Sequence, residues 1–121
     1  MRAFDLELLC ASEGGECVLG TKNLHTQGSY LIYGTLEPGE GERLVRPGKG
    51  YEEILCAVGG PLVLHTDRGE IRLGRSNAVH VKEDDTLYLS NPSNEQIVYV
   101  IAGGKVHPAP DMPPLKPTTT S

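Results

Sequence analysis

The stretch GERLVRPGKGYEEILCAVGG, residues 41–60, decides how this chain folds. Its second half, residues 51–58, is the most apolar segment of the sequence and is rich in residues that favour β-strands. Gly59 and Gly60 follow directly and end the apolar run. The pattern therefore predicts a buried strand preceded by a polar loop.

Both faces of this strand are apolar, because successive side chains of a strand point to opposite sides. One side carries Leu55 and Ala57, and the other side carries Ile54, Cys56 and Val58. A strand of this kind must be covered on both sides. We expect the barrel interior to cover one side, and a second chain or the N-terminal segment around Leu6 and Leu8 to cover the other. A second chain would make the protein a homodimer.

Short β-type segments recur on both sides of this strand. Residues 61–66 and 70–73 flank Asp67-Arg68-Gly69, which predicts a hairpin with a positive φ angle at Gly69. The other predicted strands are residues 4–8, 28–36, 78–81, 86–90 and 96–101. Apolar periodicity of 3.6 residues is not sustained over three turns anywhere, and turns recur every 8–12 residues, so we expect an all-β sandwich or barrel.

Composition narrows the class of protein further. The formal net charge of −5 argues against nucleic acid or an anionic membrane surface as the main partner. No apolar run approaches the length of about 18 residues that crosses a membrane. Because residues near the start are charged, we expect no export signal. Three cysteines without a close pair lead us to expect a reducing, cytoplasmic setting.

The spacing within residues 41–60 resembles the first motif of the cupin superfamily. That motif reads Gly, five residues, His-x-His, three or four residues, Glu, six residues, Gly. Gly41, Glu53 and Gly60 fall on this spacing, while Pro47 and Lys49 occupy the two histidine positions.

A second cupin motif, Gly-x5-Pro-x-Gly-x2-His-x3-Asn, is matched only at its last position. Asn91 fits, whereas Leu87 stands where the histidine belongs. The resemblance implies an all-β double-stranded β-helix, the jelly-roll barrel of cupins, which is often dimeric. The resemblance covers roughly residues 30–103. We therefore expect N-terminal strands at residues 1–29 that pack on the barrel or on a partner, the barrel at residues 30–106, and a flexible Pro/Thr-rich tail at residues 107–121.

The residues at the motif positions lack the ligands of a cupin metal site. Such sites use imidazole nitrogens with a carboxylate, which suit Fe, Mn, Ni or Zn. Pro47 and Leu87 have no donor atom on their side chains, and Lys49 is a cation at neutral pH. We therefore expect no metal and no other cofactor.

Glu53 is the one ligand-type residue of the first motif that remains. In the matched register its side chain points into the barrel, where it binds a ligand or acts as an acid or base. The structural alternative is a salt bridge to Lys49, Arg46 or Arg43, which would lower the pKa of Glu53.

Three functions remain open at this level. The first is a metal-free, small-molecule-binding or structural protein whose ligand contacts Arg46, Lys49, Glu53 and Leu87. The second is a metal-independent isomerase or epimerase acting on a sugar or carbonyl compound. Its candidate catalytic residues are Glu53 with His80 or His65, although a histidine within a strand is more often structural. The third is a protein-interaction module.

Overall fold

The computed structural model describes residues 1–106, so the predicted tail at residues 107–121 lies outside the described residues. Nine strands and two short helices make up this part of the chain. In chain order they are α1 (Leu6–Ser12), β1 (Glu16–Leu19), α2 (Thr21–Leu24), β2 (Ser29–Leu36), β3 (Arg43–Val45), β4 (Tyr51–Ala57), β5 (Leu62–Thr66), β6 (Gly69–Leu73), β7 (Ala78–Val81), β8 (Leu87–Ser90) and β9 (Ile97–Lys105).

The strands form two antiparallel sheets that pack face to face. The five-stranded sheet has the order β1-β2-β9-β4-β7, and the four-stranded sheet has the order β3-β8-β5-β6. The core lies between them and is built from the inward-facing residues at alternate positions of the strands. Its largest buried side chains are Tyr99, Leu36, Leu55, Leu62, Leu64, Leu89, Ile97 and Ile101. The all-β barrel predicted from the sequence is confirmed.

Strand β4 carries apolar side chains on both faces, as the sequence indicates. Leu55 and Ala57 are fully buried in the core, as is most of Glu53. On the opposite face Ile54 is 53% exposed, and Val58 just beyond the strand is also exposed. The hairpin of β5 and β6 is likewise confirmed, with Gly69 at a φ of 110°.

The expected strand at residues 4–8 is wrong, because this segment begins helix α1. Asp5 caps the helix, since its Oδ1 accepts a hydrogen bond from the backbone N–H of Leu8 at 3.0 Å. Leu6, Leu9 and Cys10 have helical spacing and turn toward the sheet, whereas Leu8 is exposed. A two-turn helix is too short to show a clear 3.6-residue period in the sequence.

Helix α1 covers part of the outer face of the five-stranded sheet. It contacts β1 and β2, where it buries Cys10, Cys17 and Leu19. The N-terminal segment thus packs on the barrel. It lies over β1 and β2 and does not extend to β4. The expectation that the N-terminal segment covers the outer side of β4 is therefore wrong.

Asn91 joins the β8–β9 turn to the end of β2. Its Nδ2 donates to the carbonyl oxygens of Leu36, Glu37 and Glu95 at 3.0, 3.1 and 2.6 Å. The side chain is 2% exposed, so its amide satisfies carbonyl groups that water does not reach. The one residue that matches the second motif therefore has a structural role.

Candidate functional site

Tyr30, Gly103 and Glu53 lie side by side on the inner face of the five-stranded sheet. Tyr30 on β2 pairs in register with Gly103 on β9, and Gly103 pairs with Glu53 on β4. The tyrosine ring reaches across the glycine, and its hydroxyl donates a hydrogen bond to Oε2 of Glu53. A Cβ atom at Gly103 would lie 2.1 Å from Cζ of Tyr30, so this contact requires glycine.

Glu53 is a buried carboxyl group with one oxygen unpaired. The residue is only 4% exposed, and its Oε1 has no hydrogen-bond partner among residues 1–106. Burial raises the pKa of Glu53, although the hydrogen bond from Tyr30 opposes that rise. Burial also raises the pKa of Tyr30, and the neighbouring Glu53 adds to the effect. The tyrosine therefore stays protonated and serves as a donor.

The salt bridge expected for Glu53 is wrong. Within the described part of the chain its polar partner is Tyr30, not Lys49, Arg46 or Arg43. The expected lowering of its pKa is wrong for the same reason, because no cation offsets the cost of burying the charge.

An open cavity of about 360 Å³ adjoins this carboxyl group. The rings of Tyr30 and Tyr51 meet edge to face at its wall, with centroids 6.0 Å apart and an interplanar angle of 63°. The other lining residues are small, hydroxylic or amide-bearing, and no cation is among the described residues that line it. They are Val18, Gly20, Thr21, Thr26, Gln27, Ser29 and Pro47.

The other residues predicted to bind a ligand lie away from this cavity. Arg46 and Lys49 are exposed on either side of Pro47, and only Pro47 lines the wall. Leu87 is 6% exposed and belongs to the hydrophobic core. Of the four predicted binding residues, the structure therefore places Glu53 alone at the cavity.

Neither candidate histidine accompanies Glu53. His80 pairs in register with Ile54 on the outer face of the sheet, where its Nε2 lies 2.7 Å from Oε1 of Glu52. His65 on β5 pairs with exposed Tyr88, and its Nε2 lies 2.8 Å from Oγ of Ser90. Both histidines thus face away from the barrel interior, so the structure does not bring together the predicted histidine–carboxylate pair.

A second tyrosine–glycine–glutamate row, which was not predicted from the sequence, lies further along the same sheet. Glu16, Gly34 and Tyr99 pair in register across β1, β2 and β9. The ring of Tyr99 reaches across Gly34, and its hydroxyl donates to Oε2 of Glu16. A Cβ atom at Gly34 would lie 2.2 Å from Cζ of Tyr99. A glycine inside an otherwise β-rich segment was the available signal, since such glycines mark close approach.

Arg43 closes this second row and has a structural role. Its guanidinium donates to the hydroxyl of Tyr99 at 2.7 Å and to Oε2 of Glu40 at 3.0 Å. It also lies 3.8 Å from Oε2 of Glu16. Within residues 1–106, no buried side-chain polar atom of this cluster lacks a partner, in contrast to Oε1 of Glu53. The unpaired oxygen therefore distinguishes the Tyr30–Glu53 row as the candidate site.

Comparison with known proteins identifies the fold. No family model and no curated protein matches the chain. Among solved structures, a cupin protein from Bacteroides fragilis superposes with a TM-score of 0.66 at 20% identity, over 88% of this chain and 86% of that chain. A protein with a double-stranded β-helix domain from Klebsiella pneumoniae gives 0.66 at 17% identity, over 87% and 90%. The chain has the cupin fold.

A third cupin-fold structure is a sugar phosphate isomerase from Silicibacter pomeroyi. It superposes with a TM-score of 0.59 at 18% identity, over 87% of this chain and 68% of that chain. Likenesses at these identities establish the shared fold only.

The residues that the motif spacing aligns with the cupin metal ligands are not a donor set that suits a transition metal. Glu53 supplies one carboxyl group, already bonded to Tyr30, and positions 47, 49 and 87 hold proline, lysine and leucine. Across residues 1–106, no three His, Cys, Asp or Glu side chains converge in a way that could hold an ion. Within that same range, no helix is long and apolar enough to span a membrane.

Proposed function

We propose that this chain binds a small, uncharged, oxygen-rich molecule of the carbohydrate or carbonyl class in the cavity beside Glu53. The unpaired Oε1 of Glu53 carries the proposal. A buried polar atom without a partner is costly, and native structures rarely leave one in place without a reason. Glu53 lines the cavity, but Oε1 itself is closed to solvent in this structure. A ligand oxygen would become its partner after a small rotation of the carboxyl group or of the Tyr30 ring toward the cavity.

The direction of the hydrogen bonds favours an acceptor on the ligand. Oε2 accepts from the hydroxyl of Tyr30, so the proton of a neutral Glu53 carboxyl group belongs on Oε1. Burial raises the pKa of Glu53, so the neutral form persists to a higher pH than in an exposed glutamate. Oε1 would then donate to a hydroxyl or carbonyl oxygen of the ligand.

The lining chemistry favours an uncharged ligand. Tyr30 and Tyr51 offer an aromatic edge and face against which a C–H surface can pack. Hydroxyl and amide groups of Thr21, Thr26 and Gln27 can satisfy further oxygen atoms. An anionic ligand would need a cation at the wall, and Arg46 and Lys49 are not part of it.

Catalysis at the same place is the second candidate function. Glu53 and Tyr30 are a hydrogen-bonded carboxyl–phenol pair at a cavity, which is the arrangement of a general acid–base pair. An isomerase or epimerase of this kind would use Glu53 to move a proton at carbon beside a carbonyl group. The histidine partners considered from the sequence have no part in it.

Metal independence belongs to the proposal as well. Because positions 47, 49 and 87 lack donor groups suited to a transition metal, we expect purified protein to carry less than one such ion per chain. Elemental analysis before and after mild chelation measures this directly. About one Fe, Mn, Ni or Zn per chain that survives chelation would contradict it.

Binding is tested by nuclear magnetic resonance with the ¹⁵N-labelled protein. Neutral monosaccharides and polyols, small ketones, and sugar phosphates are titrated separately to millimolar concentration. We expect neutral ligands to shift amides near Tyr30, Tyr51 and Glu53, and the Glu53→Gln and Tyr30→Phe variants to weaken those shifts. Glu52→Gln is the matched control, because Glu52 is adjacent but faces outward.

The outcomes separate the candidates. A preference for sugar phosphates, or no shift at the cavity with any probe, overturns the proposal. The neutral probes are also incubated in deuterated water. Deuterium entering the carbon beside a carbonyl, with loss of that activity in Glu53→Gln, would favour the isomerase function over binding alone.

A further inference from the structure

The two sheets of the barrel leave an open cleft along one edge. Strands β1 and β3 end the sheets on one side, and there Arg43 lies 3.8 Å from Oε2 of Glu16, so an ion pair links the two edges. Strands β6 and β7 end the sheets on the other side and are not paired with each other. The gap between β6 and β7 is the edge cleft.

The edge cleft has an apolar floor and a volume of about 630 Å³. Leu64 and Leu87 in the floor belong to the hydrophobic core, and Val79 packs against that core. Ile71 stands at the wall, on the same inner face of β6 as buried Leu73, and yet it is 48% exposed. The second sheet therefore does not fill the space beside Ile71. A cleft of this volume lies within the range of small-molecule sites, roughly 300–1,000 Å³.

Charged side chains of both signs line the mouth of the edge cleft. The β5–β6 turn carries Asp67 and Arg68, and the segment after β7 carries Lys82 and Asp84. Among residues 1–106, none of these four side chains forms an ion pair. Asp85 lies beside them, but its Oδ2 already accepts a hydrogen bond from the backbone N–H of Lys82 at 2.9 Å. Each side of the mouth thus offers one free acid and one free base above an apolar floor.

We propose that the edge cleft binds a free α-amino acid with an apolar side chain, such as leucine or phenylalanine. The apolar side chain packs against Ile71 and the floor, while the bases at the mouth pair with the α-carboxylate and the acids pair with the α-ammonium group. A ligand with a single charge would meet like charge as well as opposite charge at this mouth, whereas a zwitterion matches both. Among the described residues, none lines both this cleft and the cavity beside Glu53, so the inference does not depend on what binds there.

Nuclear magnetic resonance with the ¹⁵N-labelled full chain tests this site with defined probes. L-Leucine and L-phenylalanine, titrated to millimolar concentration, should shift the amides of Ile71, Val79 and Leu87 and leave those of Tyr30 and Glu53 unchanged. Three analogues each lack one part of leucine: glycine lacks the apolar side chain, 4-methylpentanoate lacks the ammonium group, and 3-methylbutylamine lacks the carboxylate. Each analogue should bind more weakly than leucine by about fivefold or more, because a partly exposed ion pair supplies about that factor and a packed apolar side chain supplies more.

Two substitutions, each with a matched control, connect binding to the edge cleft. Ile71→Lys should abolish the shifts caused by leucine, because it places a cation where the apolar side chain packs. Its control is Leu44→Lys, since Leu44 is 46% exposed on the outer face of the same sheet, and binding should be unchanged there. Lys82→Gln should weaken leucine binding by about fivefold. Its control is Lys49→Gln, because Lys49 is an exposed lysine outside the cleft.

Every other result overturns the proposal. No shift with leucine or phenylalanine does so, and shifts confined to the cavity beside Glu53 place the binding elsewhere. An analogue that binds as tightly as leucine shows that the missing part is not recognised. Circular dichroism verifies that the variants are folded. If Ile71→Lys is unfolded, an unchanged leucine affinity in Lys82→Gln still refutes the site, because the side chain of Lys82 is exposed and its loss leaves the fold intact.

Discussion

Glu53→Gln is the change that tests the buried carboxyl group most directly. Glutamine has nearly the same shape, and its amide oxygen can still accept the hydrogen bond from Tyr30. The substitution removes the ionisable group from a position that is only 4% exposed. It therefore isolates the effect of the charge from the effect of packing.

The pKa of Glu53 is raised by burial, which fixes the sign of the pH dependence. Between its unfolded and folded pKa values, the folded state binds more protons than the unfolded state. The contribution of this group to stability is therefore present below the unfolded pKa and is lost as the pH rises through the folded pKa. Each unit between the two values corresponds to about 1.4 kcal/mol.

At pH 7 the parent has a lower free energy of unfolding because of this effect. The Gln variant has no ionisable group at position 53 and does not show it. The variant keeps one buried group unpaired, because its amide NH₂ takes the place of Oε1. That cost, about 1–3 kcal/mol for such a group, is common to both proteins and largely cancels. We therefore expect Glu53→Gln to be at least as stable as the parent at pH 7, with a gain on the order of 1 kcal/mol.

Urea denaturation of both proteins at pH 5 and pH 7 gives the free energies of unfolding. The advantage of the variant should shrink toward pH 5. Glu52→Gln serves as control, because Glu52 is partly exposed and a change of a few tenths of a kcal/mol is expected there. A loss above about 1 kcal/mol in Glu53→Gln at pH 7 would show that a cation stabilises the carboxylate and would refute this reasoning.

Three further substitutions test the structural parts of the barrel by denaturant or thermal unfolding. Arg43→Met should cost about 2–4 kcal/mol, because the carboxylates of Glu16 and Glu40 lose their cation and the buried hydroxyl of Tyr99 loses its donor. Exposed Arg46→Met should cost almost nothing, and equal costs would contradict this. Gly34→Ala should destabilise the protein by about 2–3 kcal/mol, because the ring of Tyr99 over Gly34 is fully buried. Gly103→Ala should cost less, because the ring of Tyr30 over Gly103 can move toward the cavity. The reverse order of the two costs would contradict this. Asn91→Ala should cost about 1–3 kcal/mol, because the carbonyl oxygen of Leu36 loses its side-chain donor, whereas those of Glu37 and Glu95 keep donors from Glu40 and Ser93. A loss below about 1 kcal/mol would mean that water replaces the amide.

The sequence predicted the features that depend on local patterns. The alternation and the glycine turn at residues 51–60 predicted β4 and its inward Leu55, and the turn at Gly69 predicted the β5–β6 hairpin. The motif spacing predicted the barrel and an inward position for Glu53. These predictions succeeded because strand period and turn chemistry are properties of neighbouring residues.

At the N-terminus the local sequence pattern predicted the wrong element. Alternating apolar and acidic residues at positions 4–8 fit a strand and a short helix equally well over so few residues. The cap at Asp5 and the burial of Cys10 against the sheet favour the helix over a strand. Packing against β1 and β2 stabilises a helix that is too short to be stable alone.

The sequence by itself determined that this chain forms a β-barrel with a lone carboxyl group pointing into it and no histidines at the expected positions. Only the tertiary structure decided what Glu53 contacts. Tyr30 lies 23 residues away and meets Glu53 across Gly103, while Arg43, close in sequence, turns to Tyr99 instead. Pairing between distant strands sets such contacts, and the separation of residues along the chain does not reveal them.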